Sequence, residues 1–92
     1  MKRYVVIAYD IEKDRKRREV VKLLQPWGRR VNKSVFECFL SDTELKKLKL
    51  KLAQKVKKGA DSILFYPLCV DCIDKIERYG CPPPAVAVVK IL

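Results

Sequence analysis

The sequence predicts an α+β fold of order β-α-β-β-α-β, with one further strand towards the C-terminus. Three observations predict it. The run Val5-Val6-Ile7-Ala8-Tyr9 is apolar on both alternating faces, the mark of a strand covered on both sides. Two stretches, 13–27 and 41–59, carry apolar residues at helical spacing among dense Lys and Arg. Around them lie short runs rich in Val, Ile, Phe and Tyr, broken by Gly, Ser and Pro.

The first strand covers residues 3–10, with Tyr4, Val6 and Ala8 on one face and Val5, Ile7 and Tyr9 on the other. A helix over 13–27 follows, its apolar positions Val20, Val21, Leu24 and Trp27, with Gly28 as its C′ residue. Arg17 lies one turn before Val20 and Val21, so its guanidinium needs a carboxylate or a phosphate, and Asp10 is the carboxylate expected nearby. Residues 29–40 read as two extended segments bent near Asn32 to Ser34. The second helix starts at the capping box Ser41-x-x-Glu44, carries the stripe Leu45, Leu48, Leu52 and Val56, and ends at Gly59. A third main strand runs from Asp61 to Pro67, and Cys69 to Tyr79 forms a short amphipathic turn or helix with Ile73 and Ile76. Gly80-Cys81-Pro82-Pro83-Pro84 is a stiff break before a last strand at 85–92.

This order is the ferredoxin-like arrangement. Two helices cover one face of its sheet, yet the strands are apolar on both. The second face therefore calls for a partner, and a second copy of the chain is the simplest. The expectation is a single domain over 1–92 that packs as a homodimer through the open sheet face, with the proline arm and strand of 80–92 pairing with the partner protomer. A monomer whose own C-terminal segment covers the sheet is the alternative.

At 92 residues and 49% hydrophobic composition the chain makes one globular domain with a small core. No apolar run approaches the roughly 20 residues that span a membrane. The N-terminal run shows no cleavage site of a secretory signal, so the cytoplasm is the expected compartment. The net charge is +10, and residues 11–59 hold 16 of the 21 Lys and Arg. A field of this kind draws polyanions. Nucleic acid is the expected partner; a lysine-rich surface serving only solubility or heat resistance is the competing reading. Histidine is absent, which excludes a His-based triad, a His general base and His metal ligands. Phosphate contacts are expected from Arg15, Lys16, Arg17, Arg18, Lys22, Arg29, Arg30 and Lys33.

Asp10 ends the first strand, beside this basic segment. A strand end holds a carboxylate rigidly in solvent. Mg²⁺ is commonly bound by one or two carboxylates, with waters and phosphate oxygens completing its shell. One Asp per chain is too few, but a twofold axis would set a second Asp10 opposite. A structural Asp10 satisfied by Arg17 is the other reading.

The string Val5-Val6-Ile7-Ala8-Tyr9-Asp10-Ile11, then Arg17, then Gly28-Arg29-Arg30-Val31-Asn32-Lys33-Ser34-Val35-Phe36-Glu37 and Ser62-Ile63-Leu64-Phe65-Tyr66-Pro67-Leu68, resembles the CRISPR-associated protein two family. The resemblance implies a ferredoxin-like homodimer and Mg²⁺ at Asp10. It implies a metal-dependent endonuclease acting on RNA or DNA, with Tyr9, Asp10 and Arg17 as its catalytic residues. It also implies a role in spacer acquisition, as the central dimer that bridges the integrase subunit, CRISPR-associated protein one, on double-stranded DNA. Arg30, Ser34 and Phe36 match further elements of the family and join the nucleic-acid-binding residues. Glu19 departs from the family pattern, where a basic residue sometimes stands, and Asn32 replaces the commoner Gln. A stand-alone toxin-type endoribonuclease of the related virulence-associated family, acting on single-stranded RNA, is the runner-up. A nucleic-acid-binding module without chemistry is the third reading. Phe36 and Trp27 could stack on bases, though both also suit the core. Cys69-Val70-Asp71-Cys72, with Cys81 near, admits reduced thiols under a loop, a disulfide or a metal clip.

Overall fold

Strand β1 (Lys2–Asp10) is the spine of the molecule, hydrogen-bonded on both sides. The computed structural model describes residues 2–80, so the proline arm and last strand expected at 80–92 lie, apart from Gly80, outside the described residues. The elements after β1 are α1 (Asp14–Leu24), a 3₁₀ turn (Gln25–Trp27), β2 (Gly28–Asn32), β3 (Val35–Ser41), α2 (Asp42–Ala53), β4 (Ser62–Leu68) and the short α3 (Val70–Asp74). The sheet order is β2-β3-β1-β4 and every neighbouring pair is antiparallel. This is the expected ferredoxin-like sheet.

The register assigns the two faces. Val5, Ile7 and Tyr9 lie opposite Cys38 and Phe36 of β3 and Pro67, Phe65 and Ile63 of β4. The core forms on this face, where Val20 and Leu24 of α1 and Leu48 and Leu52 of α2 close over the strands. Val5, Ile7, Val20, Leu24 and Leu40 are fully enclosed. Burying each such side chain is worth about 1.5–3 kcal/mol. The capping box opens α2 as expected: Ser41 Oγ accepts from Glu44 N at 3.1 Å, and Ser41 N donates to Glu44 Oε1 at 2.7 Å.

Three local expectations are corrected. α1 stops at Leu24, and Pro26 turns the chain through a 3₁₀ turn. Gly28 is therefore the first residue of β2 rather than a left-handed helix cap. Its role is close approach, because a Cβ there would meet the carbonyl oxygen of Glu37 and lie 2.7 Å from Cys38 Cα. Helix α2 ends at Ala53, before Val56, and Gly59 (φ 89°) serves the loop into β4. Finally, Pro67 sits inside β4. β4 is the last strand in the order, and an edge strand tolerates a residue without an N–H.

The second sheet face carries Tyr4, Val6, Ala8 and Asp10 of β1, with Leu68, Tyr66, Leu64 and Ser62 opposite on β4. α3 covers one end of it: Ile73 packs on Tyr4, with Val6, Phe39, Leu68 and Ile76 around them. Polar clamping adds to this cover. Arg78 donates to both carboxylate oxygens of Glu37, at 2.7 and 3.1 Å, and to the Tyr4 oxygen at 3.1 Å. Tyr4 in turn donates to Glu37. The open face is thus partly closed by the chain's own segment, while Leu64 and Tyr66 remain half exposed.

This clamp makes two measurable contributions. The side chains of Arg78 and Glu37 are only 19% and 12% exposed, so Arg78→Ala strands a nearly buried carboxylate. We expect a loss of roughly 2 kcal/mol in urea unfolding, below the cost for a fully buried pair. Burial, then the hydrogen bond to Glu37, pushes the Tyr4 hydroxyl up to about 12. The folded state then holds a proton that the unfolded chain releases near pH 10. The contribution is whole below pH 10 and is lost as pH rises to about 12. Stability measured against pH should therefore fall more steeply across that window in the native sequence than in Tyr4→Phe.

Candidate nucleic-acid interface and metal site

A concave groove of about 560 Å³ lies between α1 and the β2–β3 turn. It is lined by Arg17, Arg18 and Lys22 of α1, by Arg30 of β2, and by Lys33 and Ser34 of the turn, with Val21 and Gln25 between them. No acidic residue lines it. Among the described residues, Arg18, Lys22, Arg30 and Lys33 have no acidic partner, so their charge is available to a ligand. Helical spacing produces the α1 wall: positions 18 and 22 are one turn apart on the same side. β2 contributes Arg30 because alternation turns it to the helix side, opposite Phe36.

Tyr9 builds the rim of this groove. Its hydroxyl donates to Lys33 O at 3.0 Å, and its backbone N–H donates to Ser34 O at 2.9 Å. The ring is buried on the helix side and leans on Phe36, centroid to centroid 6.3 Å. Tyr9 therefore faces away from Asp10, its neighbour in sequence. Phe36 is 1% exposed and belongs to the core. In this conformation it cannot meet a base, and the expectation that it contacts nucleic acid is replaced by a packing role. Trp27 likewise packs on the core. Arg15 is exposed on α1, outside the groove lining. Arg29 lies opposite Glu37 and borders a smaller neighbouring hollow with Arg30.

Asp10 stands at the tip of the second sheet face, exposed, with Ser62 as its strand partner. The expected Arg17–Asp10 pair does not form. Arg17 binds Asp14, three residues back along α1, and donates to Ile11 O at 3.1 Å. A first-turn acid is closer to this guanidinium than the strand tip is. The contact with Ile11 makes Arg17 a brace for the turn that follows Asp10. Among the described residues the Asp10 carboxylate has no side-chain partner.

Asp61 is the residue that the sequence reading missed. Its side chain is 2% exposed and lies 3.7 Å from Lys16 Nζ. It accepts from Glu12 N and Lys57 N, each at 2.9 Å. These N–H donors hold its carboxyl below the usual carboxylate range. Asp61 thereby ties the turn after β1 to the loop before β4, and fixes the strand ends that carry Asp10 and Ser62. An Asp soon after a loop glycine, just ahead of a strand, was the available signal. Glu19 is paired with Lys55 at 3.5 Å, joining α1 to α2 at the surface.

The donor set suits a hard cation in part. Asp10 offers an exposed, unpaired carboxylate, but the described residues contain no group of three or more His, Cys, Asp or Glu side chains placed to hold a metal. A single carboxylate needs further oxygen ligands from water, phosphate or another copy of the chain.

A ferredoxin-like sandwich with a cationic groove on its helix side and an exposed acidic strand tip on its second sheet face defines a class of small α+β proteins with basic and acidic surfaces on opposite sides. The family model for CRISPR associated protein Cas2 matches residues 1–76, and the chain belongs to that family. It is 41% identical over 78 residues to a CRISPR-associated endoribonuclease Cas2 of Synechocystis sp., covering 85% of each chain. Cas2 of Streptococcus pyogenes matches in structure with a TM-score of 0.75 and 33% identity, over 87% of this chain and 100% of that one. A chain of a partial Cas6-RT-Cas1–Cas2 complex matches with a TM-score of 0.72 and 28% identity, over 91% and 98%. Among the described residues no helix is long and apolar enough to cross a membrane.

Proposed function

We propose that this chain is the nucleic-acid-binding core of a CRISPR adaptation complex, acting in the cytoplasm as a homodimer that bridges the integrase subunit. The observation that carries the reading is the acid-free groove of Arg17, Arg18, Lys22, Arg30 and Lys33. Contacts to phosphates by such residues position a duplex without reading its sequence. The structural neighbour from a Cas1–Cas2 complex supports the integrase partner. The second copy is supported by the half-exposed Leu64 and Tyr66 on the same sheet face as Asp10.

We further propose that the dimer cleaves phosphodiester bonds, as the endoribonuclease name of its Synechocystis relative suggests. Asp10 from each copy would hold Mg²⁺ between them. When bound there, Mg²⁺ would make water more acidic and offset negative charge on a phosphate. The chain's own residues hold the geometry: Asp61 fixes the loops flanking the strand tip, and Arg17 braces Ile11. The groove cations hold the substrate backbone.

Charge reversal tests the binding surface. In the triple variant Arg18→Glu, Lys22→Glu, Arg30→Glu, the slope of log K against log salt for duplex DNA should shrink by roughly 2 to 3, near 0.9 for each lost phosphate contact. Fluorescence anisotropy between about 50 and 200 mM salt measures it. An unchanged slope would remove the groove from the interface.

A further inference from the structure

We infer that Cys69 and Cys72 form a thiol–disulfide redox site at the junction of β4 and α3, oxidised by low-molecular-weight disulfides of the glutathione type, whose closure staples the first turn of α3. The Sγ atoms lie 3.3 Å apart and share a hydrogen bond. Both thiols are free and exposed. Cys38 provides the contrast: it is buried in the core, and burial pushes its thiol up to about 12. A buried neutral thiol of that kind is inert.

The two exposed thiols are not equivalent. The backbone N–H of Cys72, then its side chain, pulls the Cys69 thiol below its ordinary value. The hydrogen bond to Cys69 and the charge there raise Cys72. Cys69 is thus suited to attack and Cys72 to resolve, the division of labour of a Cys-x-x-Cys pair. Their place in the fold gives the chemistry a consequence. Cys69 is the N-cap of α3, and its carbonyl accepts from Ile73 N at 3.0 Å. Ile73 is the residue that seats α3 on Tyr4. A bond from Cys69 to Cys72 would enclose this turn in a covalent ring and hold the cover of the second sheet face in place.

The step balances. Cys69 first releases its proton, its thiolate attacks one sulfur of the small disulfide, the S–S bond breaks, and the departing thiolate takes up the released proton. The Cys72 thiol then loses its proton and attacks the Cys69 sulfur of the mixed disulfide. The second small thiol leaves with that proton. Two protein thiols are oxidised by two electrons, and one small disulfide is reduced to two thiols.

The test uses the full chain equilibrated in graded mixtures of reduced and oxidised glutathione, quenched in acid, alkylated and mapped by mass spectrometry. Cys69 and Cys72 should lose their alkyl labels together in one transition. The tryptic peptide 59–75 should become lighter by two hydrogens, and Cys81→Ser should behave identically. In Cys72→Ser, Cys69 should stop at the mixed disulfide. The melting midpoint of the native sequence should rise on oxidation, with no such rise in Cys72→Ser. Four results would overturn the inference: independent loss of the two labels, pairing of Cys69 with Cys81, labelling of both thiols at every ratio, or protection by zinc that a chelator reverses without any disulfide. A disulfide that leaves the midpoint unchanged would overturn the staple.

Discussion

Gly28→Ala should cost about 3 kcal/mol of folding stability, a large fraction of the 5–15 kcal/mol typical of a domain. The backbone at Gly28 is extended, so the penalty is steric and owes nothing to handedness. A methyl group there would run into the Glu37 carbonyl and lie 2.8 Å from the Glu37 carbonyl carbon. These are backbone atoms of β3 and cannot rotate away as a side chain would. Relief requires β2 to move off β3, and β2 carries Arg30 and leads to Lys33. Duplex affinity should therefore fall together with the urea midpoint. Gly59→Ala is the control: unlike Gly28 it has a left-handed backbone, φ 89°, and nothing lies within 4 Å of its added carbon. Its cost should be about 1 kcal/mol, from backbone strain alone. Equal midpoints for Gly28→Ala and the native sequence would show that β2 does not need this close approach.

Asp10→Ala should reduce Mg²⁺-dependent cleavage at least about a hundredfold, because a bound metal contributes several kcal/mol of charge stabilisation. Binding to a duplex should be nearly unchanged, since the groove cations belong to α1, β2 and the β2–β3 turn. Stability should stay within about 0.5 kcal/mol of the native value, because the carboxylate is exposed and has no side-chain partner among the described residues. This triple outcome separates Asp10 from Asp61, whose loss would release two backbone N–H groups and loosen both loops. Full cleavage by Asp10→Ala would exclude the strand tip from the chemistry.

The sheet and its helices were legible because their signals are local. A short apolar run on both faces marked β1, the capping box marked the start of α2, and the break at Asn32 to Ser34 marked the turn between β2 and β3. Helix ends were read less well. Gly28 and Gly59 look alike in sequence as stops, yet one serves strand contact and the other a loop. The same limit applied to the site. Basic residues on α1 and β2 pointed to an anion surface, but only the register shows that Arg30 joins Arg18 and Lys22 in one groove. Adjacent Tyr9 and Asp10 read as a pair, although strand alternation sends them to opposite faces. Arg17 chose Asp14 and Ile11 over Asp10, a decision made by the folding of the 11–14 turn. The clamp of Tyr4, Glu37 and Arg78 joins residues 74 positions apart, and no local pattern announces it.

The proposed metal site requires a second copy to close the exposed part of the second sheet face, around Leu64, Tyr66 and Asp10. Sedimentation equilibrium of the full chain is the direct measurement. It should give twice the 10.7 kDa chain mass for the native sequence, and the single-chain mass when Tyr66→Glu puts a charge in the exposed apolar strip. A native mass of 10.7 kDa, at concentrations where duplex binding and cleavage are observed, would contradict it.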